Sequence, residues 1–261
     1  MVREAGEVYH VSTSLCNPMR IAHISDLHFS SSLFVPEYAD NVALIIQGER
    51  PDLLVVTGDL TTDGYVAEFE AAKRFLDHLD VSEKLIVPGN HDARNLGYTI
   101  FEELIGPRFP CYRGSGLTVM GLDSTEPDVD DGHVGREHYD DIRKNLSGPG
   151  VHVLALHHHL IPIPGTGRER QIPTDAGDLL GICKEAGVDI VLSGHKHLAW
   201  VWNLDGCFFI TAATSTSRRL KGRSRPAMNI MDIEGRELTV REIRTDDLHE
   251  EVVLRGLLRN H

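Results

Sequence analysis

The chain of 261 residues has no run of about 18 or more apolar residues, which argues against a membrane-spanning helix. A secretory leader is not expected either. The first 18 residues carry Arg3, Glu4 and Glu7 and no apolar stretch, so they read as a short N-terminal arm (1–18) ahead of one domain over 19–261. Cysteine is sparse. Cys16, Cys111, Cys183 and Cys207 stand far apart and form no C-x-x-C pair, which argues against a disulfide framework and for reduced thiols in a cytoplasmic protein. Basic charge is short too, with 26 Lys and Arg against 39 Asp and Glu, a net of −13. A broad nucleic-acid surface needs a basic stripe, so this balance argues against one. Internal repeats and low-complexity tracts are absent.

What is present is an ordinary globular balance, with 41% hydrophobic and 25% charged residues. A chain of this length can bury a core without disulfide or structural-metal support. Short apolar runs alternate with amphipathic stretches, the pattern of an α/β layered fold. The expected strands are Ile21–Ser25, Leu53–Thr57, Lys84–Val87, Leu117–Leu122, His152–Leu156 and Asp189–Leu192, then Ala199–Leu204, Cys207–Thr211, Asn229–Ile233 and Glu237–Glu242. The last four lie close together and are expected to pair antiparallel. Helices are expected over Tyr38–Glu49, Ala67–Leu79, Thr99–Leu104, Arg136–Leu146 and Asp175–Glu185. In the second helix Phe69, Ala72, Phe75, Leu76 and Leu79 recur at helical spacing and should face a sheet.

Five of the strands run straight into polar clusters: Asp26-Leu27-His28, Gly58-Asp59, Gly89-Asn90-His91-Asp92, His157-His158-His159 and Gly194-His195-Lys196-His197. Ligands of open α/β sheets bind beyond the carboxyl ends of strands, so the five clusters should meet at one rim of the sheet. Their donors are Asp26, His28, Asp59, Asn90, His157, His195 and His197, all oxygen or imidazole and none a thiolate. That set suits Mn²⁺ or Fe, with Zn²⁺ also acceptable. Seven side chains exceed the needs of one tetrahedral ion and match two ions sharing a carboxylate, each with open positions. In extended backbone the spacing of two in Asp26/His28 and His195/His197 puts both side chains of a pair on one side. Gly58, Gly89 and Gly194 let the chain turn where a side chain would crowd the site.

D-x-H, G-D, G-N-H-D, H-H after a strand and G-H-x-H, in this order from Asp26 to His197, resemble the calcineurin-like metallophosphoesterase superfamily. The resemblance implies a four-layer α/β/β/α sandwich with two central mixed β-sheets flanked by helices. It implies a first divalent metal ion on Asp26, His28 and His197, a second on Asn90, His157 and His195, and Asp59 bridging both. It implies attack on phosphorus by a metal-bridging hydroxide. It gives His91 the part of assisting the leaving group or a phosphoryl oxygen, with Asp92 orienting that ring. The family usually shows two histidines followed by proline, whereas here three are consecutive and the proline is Pro162. The first, His157, is the implied ligand; His158 is the alternative ligand and a candidate substrate contact.

Protein serine/threonine phosphatases of this superfamily carry an arginine shortly after the bridging aspartate and a glutamate at the end of the next block. Gly58-Asp59-Leu60-Thr61 and Gly89-Asn90-His91-Asp92 depart from both. They are more similar to the class III cyclic nucleotide phosphodiesterase and glycerophosphodiesterase branch, which often shows G-D-L-T and a basic residue two after G-N-H-D, here Arg94, a candidate substrate contact. The implied partner is a small phosphate ester, and a homo-oligomer is compatible with the sequence. A phosphomonoesterase and a DNA nuclease are the alternatives within the superfamily. A non-catalytic protein-binding scaffold is a third, but its mark is lost ligands and this set is complete. His133, in the turn Asp130-Asp131-Gly132-His133, and the basic run Arg218, Arg219, Lys221, Arg223 and Arg225 read first as solvated loops, with substrate reach for the histidine and anion binding or subunit contact for the run as the alternatives.

Overall fold

The computed structural model describes residues 18–166 and 171–259. The expected arm at 1–18 lies outside them except for Pro18, as does Cys16. In chain order the elements are β1 (Met19–Ile24), α1 (Pro36–Glu49), β2 (Leu53–Thr57), α2 (Val66–His78), β3 (Glu83–Val87), α3 (Gly97–Leu104), β4 (Cys111–Gly114), β5 (Leu117–Gly121), α4 (Tyr139–Asn145), β6 (Val151–Ala155), α5 (Ala176–Glu185), β7 (Ile190–Ser193), β8 (Trp200–Leu204), β9 (Cys207–Thr211), β10 (Ala227–Glu234), β11 (Glu237–Arg244) and β12 (Glu250–Leu257). A short 3-10 turn, Arg136–His138, leads into α4.

The strands form two six-stranded mixed sheets, ordered β12-β11-β10-β1-β2-β3 and β4-β5-β6-β7-β9-β8. In the first, β1, β2 and β3 are parallel and β10 to β12 continue antiparallel; in the second, β5, β6, β7 and β9 are parallel, with antiparallel β4 and β8 at the edges. Strands such as Leu53–Thr57 and Val151–Ala155 are apolar without alternation because both of their faces are covered. Residues including Ile21, Val55, Val87, Val153, Leu192 and Ile210 fill the space between the sheets. The outer face of the first sheet packs on α1 to α3 through Ile24, Val56, Phe69 and Phe101. The outer face of the second packs on α4 and α5 through Leu154, Leu156, Ile142 and Leu179. The layers are therefore α/β/β/α, as expected.

Helix α2 shows the link from pattern to packing. Phe69, Ala72 and Leu76 are buried and Phe75 is partly covered against the sheet. Each such buried Phe or Leu contributes about 1.5–3 kcal/mol of transfer free energy. At its start Glu68 accepts hydrogen bonds from the amides of Asp63 and Tyr65 at 3.0 and 3.1 Å, which fixes the loop leading from Asp59.

Two expectations change. The four late strands divide between the sheets: β8 and β9 pair antiparallel in one, β10 and β11 in the other, and β9 runs parallel to β7. Proximity in sequence does not decide sheet membership when a 15-residue connection can cross between layers. Strands β4 and β12 were not expected. They are edge strands with largely exposed faces, so neither shows the apolar run that marks a central strand.

Candidate metal centre

The five clusters meet, but at the carboxyl ends of strands from both sheets rather than at one rim. Asp26-Leu27-His28, Gly58-Asp59 and Asn90 follow β1, β2 and β3; His157 and Gly194-His195-Lys196-His197 follow β6 and β7. The main chain beyond the strands is held across them, with Asp26 N to Gly58 O and His28 N to Asp59 O at 2.9 Å, and Gly194 N to His157 O at 2.9 Å.

The loops converge by left-handed turns, not by extended backbone as the spacing had suggested. Asp26, His28, Asp59, His195 and His197 have φ of 54°, 47°, 54°, 74° and 54°. Non-glycine residues adopt this region at a cost and only where the surroundings enforce it, commonly at functional sites. The backbones come unusually close. A Cβ on Gly58, whose φ is 84°, would lie 2.4 Å from the amide nitrogen of Gly89, and one on Gly194 would lie 1.8 Å from Ser25 Oγ.

Two donor groups result, and Asp59 touches both. In the first, Asp26, His28, Asp59 and His197 each offer one ligand atom, all within 4.8 Å of one another. In the second, Asn90 Oδ1 stands 3.1 Å from His157 Nε2 and 3.0 Å from His195 Nδ1. Oδ2 of Asp59 lies 3.7 Å from His28 Nε2 and 3.5 Å from His157 Nε2. Each carboxylate is divided in the same way. Asp59 Oδ1 accepts from the His91 amide at 2.9 Å and Asp26 Oδ2 from the His195 amide at 3.0 Å, leaving the other oxygen to the cluster.

The imidazoles are oriented from behind. The Nδ1 of His28, His157 and His197 donates to the carbonyls of Thr61, Thr57 and Arg219. A carbonyl can only accept, so the proton sits on Nδ1 and the Nε2 lone pair faces inward. Asp26 Oδ1 accordingly has no hydrogen-bond donor, although His197 Nε2 lies 3.1 Å away; two acceptors face each other. Asn90 is oriented likewise. Its Nδ2 donates to Asp130 Oδ1 at 3.1 Å, which turns Oδ1 toward His157 and His195.

Electrostatics point the same way. Burial pushes His28 down to about 3 and His195 well below the usual imidazole range, which keeps both neutral and able to donate a lone pair. Burial pushes the carboxyls of Asp26 and Asp59 up, but the surrounding histidines outweigh it and hold both below the usual carboxylate range. Burial also opposes charge on His157, yet Asp59 and Asp26 prevail and raise it. Converging lone pairs, an unpartnered buried carboxylate oxygen and a histidine drawn toward a proton together fit a divalent cation.

The remaining site residues are distributed differently from expectation. His91 opens on the cleft above the cluster, its Nδ1 bound to Thr62 O at 2.6 Å and its Nε2 2.9 Å from Arg219 Nη1. Asp92 does not orient it. The Asp92 carboxylate accepts from the amides of Gly89, Leu60 and Thr61 and from Thr61 Oγ1 at 2.8–3.1 Å, joining the loops after β2 and β3, because the residue after His91 in a tight turn points away from it. Burial and the charge of Asp59 push Asp92 up to about 7.

His158 also turns from the cluster, with its ring nitrogens on Ser124 Oγ at 2.8 Å and Asp130 O at 3.2 Å, and burial pushes it down to about 3. Arg94 is engaged with Asp130 at 3.0 Å and with the Thr62 carbonyl at 3.2 Å, so it braces the Asn90 partner rather than lining the cleft. His133 pairs with Glu126 at 3.3 Å, away from the cleft. Asp130, at the cleft, is not among the expected site residues, and Arg219 and Lys221 belong to the run expected first to be a solvated loop, with anion binding or subunit contact as the alternatives. The signal for the last two was the one dense basic run of an acidic chain.

The sequence profile of the calcineurin-like phosphoesterase family matches residues 19–199, and the chain belongs to that family. A "Probable cyclic nucleotide phosphodiesterase" from Rhodococcus erythropolis is 26% identical over 215 residues, covering 75% of this chain and 70% of its own. The "Glycerophosphodiester phosphodiesterase GpdQ" of Enterobacter lignolyticus is 36% identical over 101 residues, 35% of this chain and 34% of its own. A dimetal phosphatase from Danio rerio shares the fold, with a TM-score of 0.67 at 12% identity over 92% of this chain and 100% of that one. The protein is thus a metal-dependent phosphoester hydrolase. Among the described residues no helix is long and apolar enough to cross a membrane.

Proposed function

We propose that this enzyme is a phosphodiesterase acting on a small ester of the cyclic nucleotide or glycerophosphodiester type. The observation that carries the site is the shared carboxylate: Asp59 Oδ2 faces both His28 and His157, which belong to different donor groups. Asp26, His28 and His197 would hold one divalent ion and Asn90, His157 and His195 the other, with Asp59 common to both. Such a pair supplies an activated water and neutralises charge on the phosphoryl oxygens.

The chain's own residues do the rest. The amides of His91 and His195 keep Asp59 and Asp26 from rotating. Asp130 keeps the carboxamide oxygen of Asn90 turned inward. His91 lies on the cleft but outside the donor groups, and in this reading it would assist the leaving group or a phosphoryl oxygen. Support for a diester comes from the names of the relatives and from Leu60-Thr61, where protein phosphatases of the superfamily carry arginine shortly after the aspartate.

A substrate panel tests the reading. Chelator-stripped protein is expected to be inactive and Mn²⁺ to restore it. Bis-p-nitrophenyl phosphate should be hydrolysed with kcat/KM at least equal to that for p-nitrophenyl phosphate, and a cyclic nucleotide or glycerophosphodiester better than either. A strong monoester preference at the same metal loading would replace the diesterase reading with a phosphatase.

A further inference from the structure

The segment after β9 brings a cation to the cleft on a fixed support. Thr214 to Ser217 are buried, and the Thr214 and Thr216 hydroxyls donate to the carbonyls of Asp26 and Leu27. Two residues on, the Arg219 carbonyl accepts from His197 Nδ1 and its amide donates to Ser217 Oγ at 3.1 Å. The backbone of Arg219 is therefore fixed on both sides, by the candidate ligand His197 and by the buried Ser217.

The side chain is available to an anion. Arg219 Nη1 donates to His91 Nε2 at 2.9 Å, and among the described residues its guanidinium has no carboxylate partner. Arg225, in the same run, pairs with Asp246 and Asp247 at 2.5 and 3.1 Å, and Arg94 pairs with Asp130. In a chain with a net charge of −13, a guanidinium at the mouth of a cleft that meets only an imidazole lone pair is conspicuous. His91 has its other nitrogen on the Thr62 carbonyl, so its proton is on Nδ1 and Arg219 caps the free lone pair of Nε2. Lys221 reaches the same cleft and likewise has no carboxylate partner among the described residues.

We infer that Arg219 is a substrate-binding residue whose guanidinium exchanges His91 Nε2 for a non-bridging oxygen of the substrate phosphate, with Lys221 as a second cation beside it. The assignment rests on the phosphoesterase reading of the site. A planar guanidinium fork matches two phosphoryl oxygens, which a point charge does not. The exchange also frees the Nε2 lone pair of His91, which takes up a proton before the ring can donate one to a leaving group.

The test uses the full chain reconstituted with Mn²⁺, with inorganic phosphate as the probe and metal content counted by elemental analysis. Arg219→Ala should retain both metals, since the bond to His197 comes from the main chain. It should weaken phosphate roughly 10- to 100-fold by calorimetry, the range of a charge-assisted hydrogen bond. KM for bis-p-nitrophenyl phosphate should rise with it. Arg219→Lys should recover part of the loss, keeping the charge without the fork. Arg218→Ala, at an exposed neighbour, should change affinity by about twofold or less. Unchanged phosphate affinity in Arg219→Ala overturns the assignment, and so does an equal loss in Arg218→Ala, which would mark a diffuse field. If the wild type hydrolyses no ester yet binds phosphate through Arg219, the functional reading fails while the subsite stands. If it hydrolyses esters and is indifferent to Arg219, only the subsite falls.

Discussion

The turn after β1 and the turn after β3 are similar in composition and opposite in design. In Asp26-Leu27-His28 the two polar residues are separated by one apolar residue, both take left-handed φ, and both side chains enter the cluster. Leu27 between them is buried in the layer beneath the helices. In Asn90-His91-Asp92 three consecutive polar residues form a tight turn, with the Asp92 and Ala93 amides on the Gly89 carbonyl, and their side chains fan out. Asn90 faces the cluster, His91 the cleft, and Asp92 the main chain of Leu60 and Thr61. A turn with a spacer concentrates its donors; a turn without one assigns each residue a separate task. Asp59 joins the two, since one oxygen is held by the His91 amide and the other faces His28.

The largest expected effect is at that junction. Asp59→Ala should lower kcat/KM by about 10³-fold or more, the scale of several kcal/mol of metal-ion catalysis, and should reduce bound metal at both positions. Two tightly held ions and normal turnover in this variant would remove Asp59 from the bridge. Next is His91→Ala. A residue of the fanned turn that faces the cleft should keep both metals yet lose about 10²–10⁴-fold on alkyl phosphate esters, and less on p-nitrophenyl esters, whose leaving group needs little protonation. Equal losses across leaving groups would mark charge stabilisation instead, and a lost metal would make the two turns alike.

The histidines after β6 sharpen the contrast between cluster and support. His157→Ala should lose metal, whereas His158→Ala should retain two ions with affinity weakened by about 10- to 100-fold at most, as for residues behind a ligand. Elemental analysis of both variants at limiting Mn²⁺ distinguishes them, and the reverse pattern would shift the ligand by one residue. Asp92→Ala probes the inward arm of the fanned turn. It removes the acceptor of four hydrogen bonds and should lower stability by about 3–5 kcal/mol in thermal or urea unfolding, with metal restored at saturating Mn²⁺. Unchanged stability with lost turnover would return Asp92 to a catalytic part. The smallest effect belongs to Arg94→Ala, whose partners Asp63 and Asp130 are half exposed; about a two- to fivefold loss in kcat/KM is expected from a looser Asn90.

Much of this was legible in the chain itself. Leu53–Thr57 and Cys207–Thr211 were readable to the residue because fully buried strands are apolar without interruption. The burial of Phe69, Ala72 and Leu76 was readable from helical period. The seven donors were readable as a group because each follows a strand. Edge strands β4 and β12 were not, since half-exposed strands mix polar and apolar residues freely. The support of Asn90 by Asp130, 40 residues away, had no local mark at all.

The sequence by itself determined which oxygen- and imidazole-bearing residues stand at the strand ends, because residue chemistry and apolar periodicity are properties of short stretches. Tertiary structure decided the direction of each side chain. Left-handed φ at five of the donors is imposed by neighbouring loops that approach as closely as glycines 58 and 194 permit. The same packing of two sheets brings residues from both to one site, sends Asp92 and His158 to the supporting loops, and sets Arg219 over His91 across 128 residues of chain. Those relations depend on distances between distant segments, which no local pattern encodes.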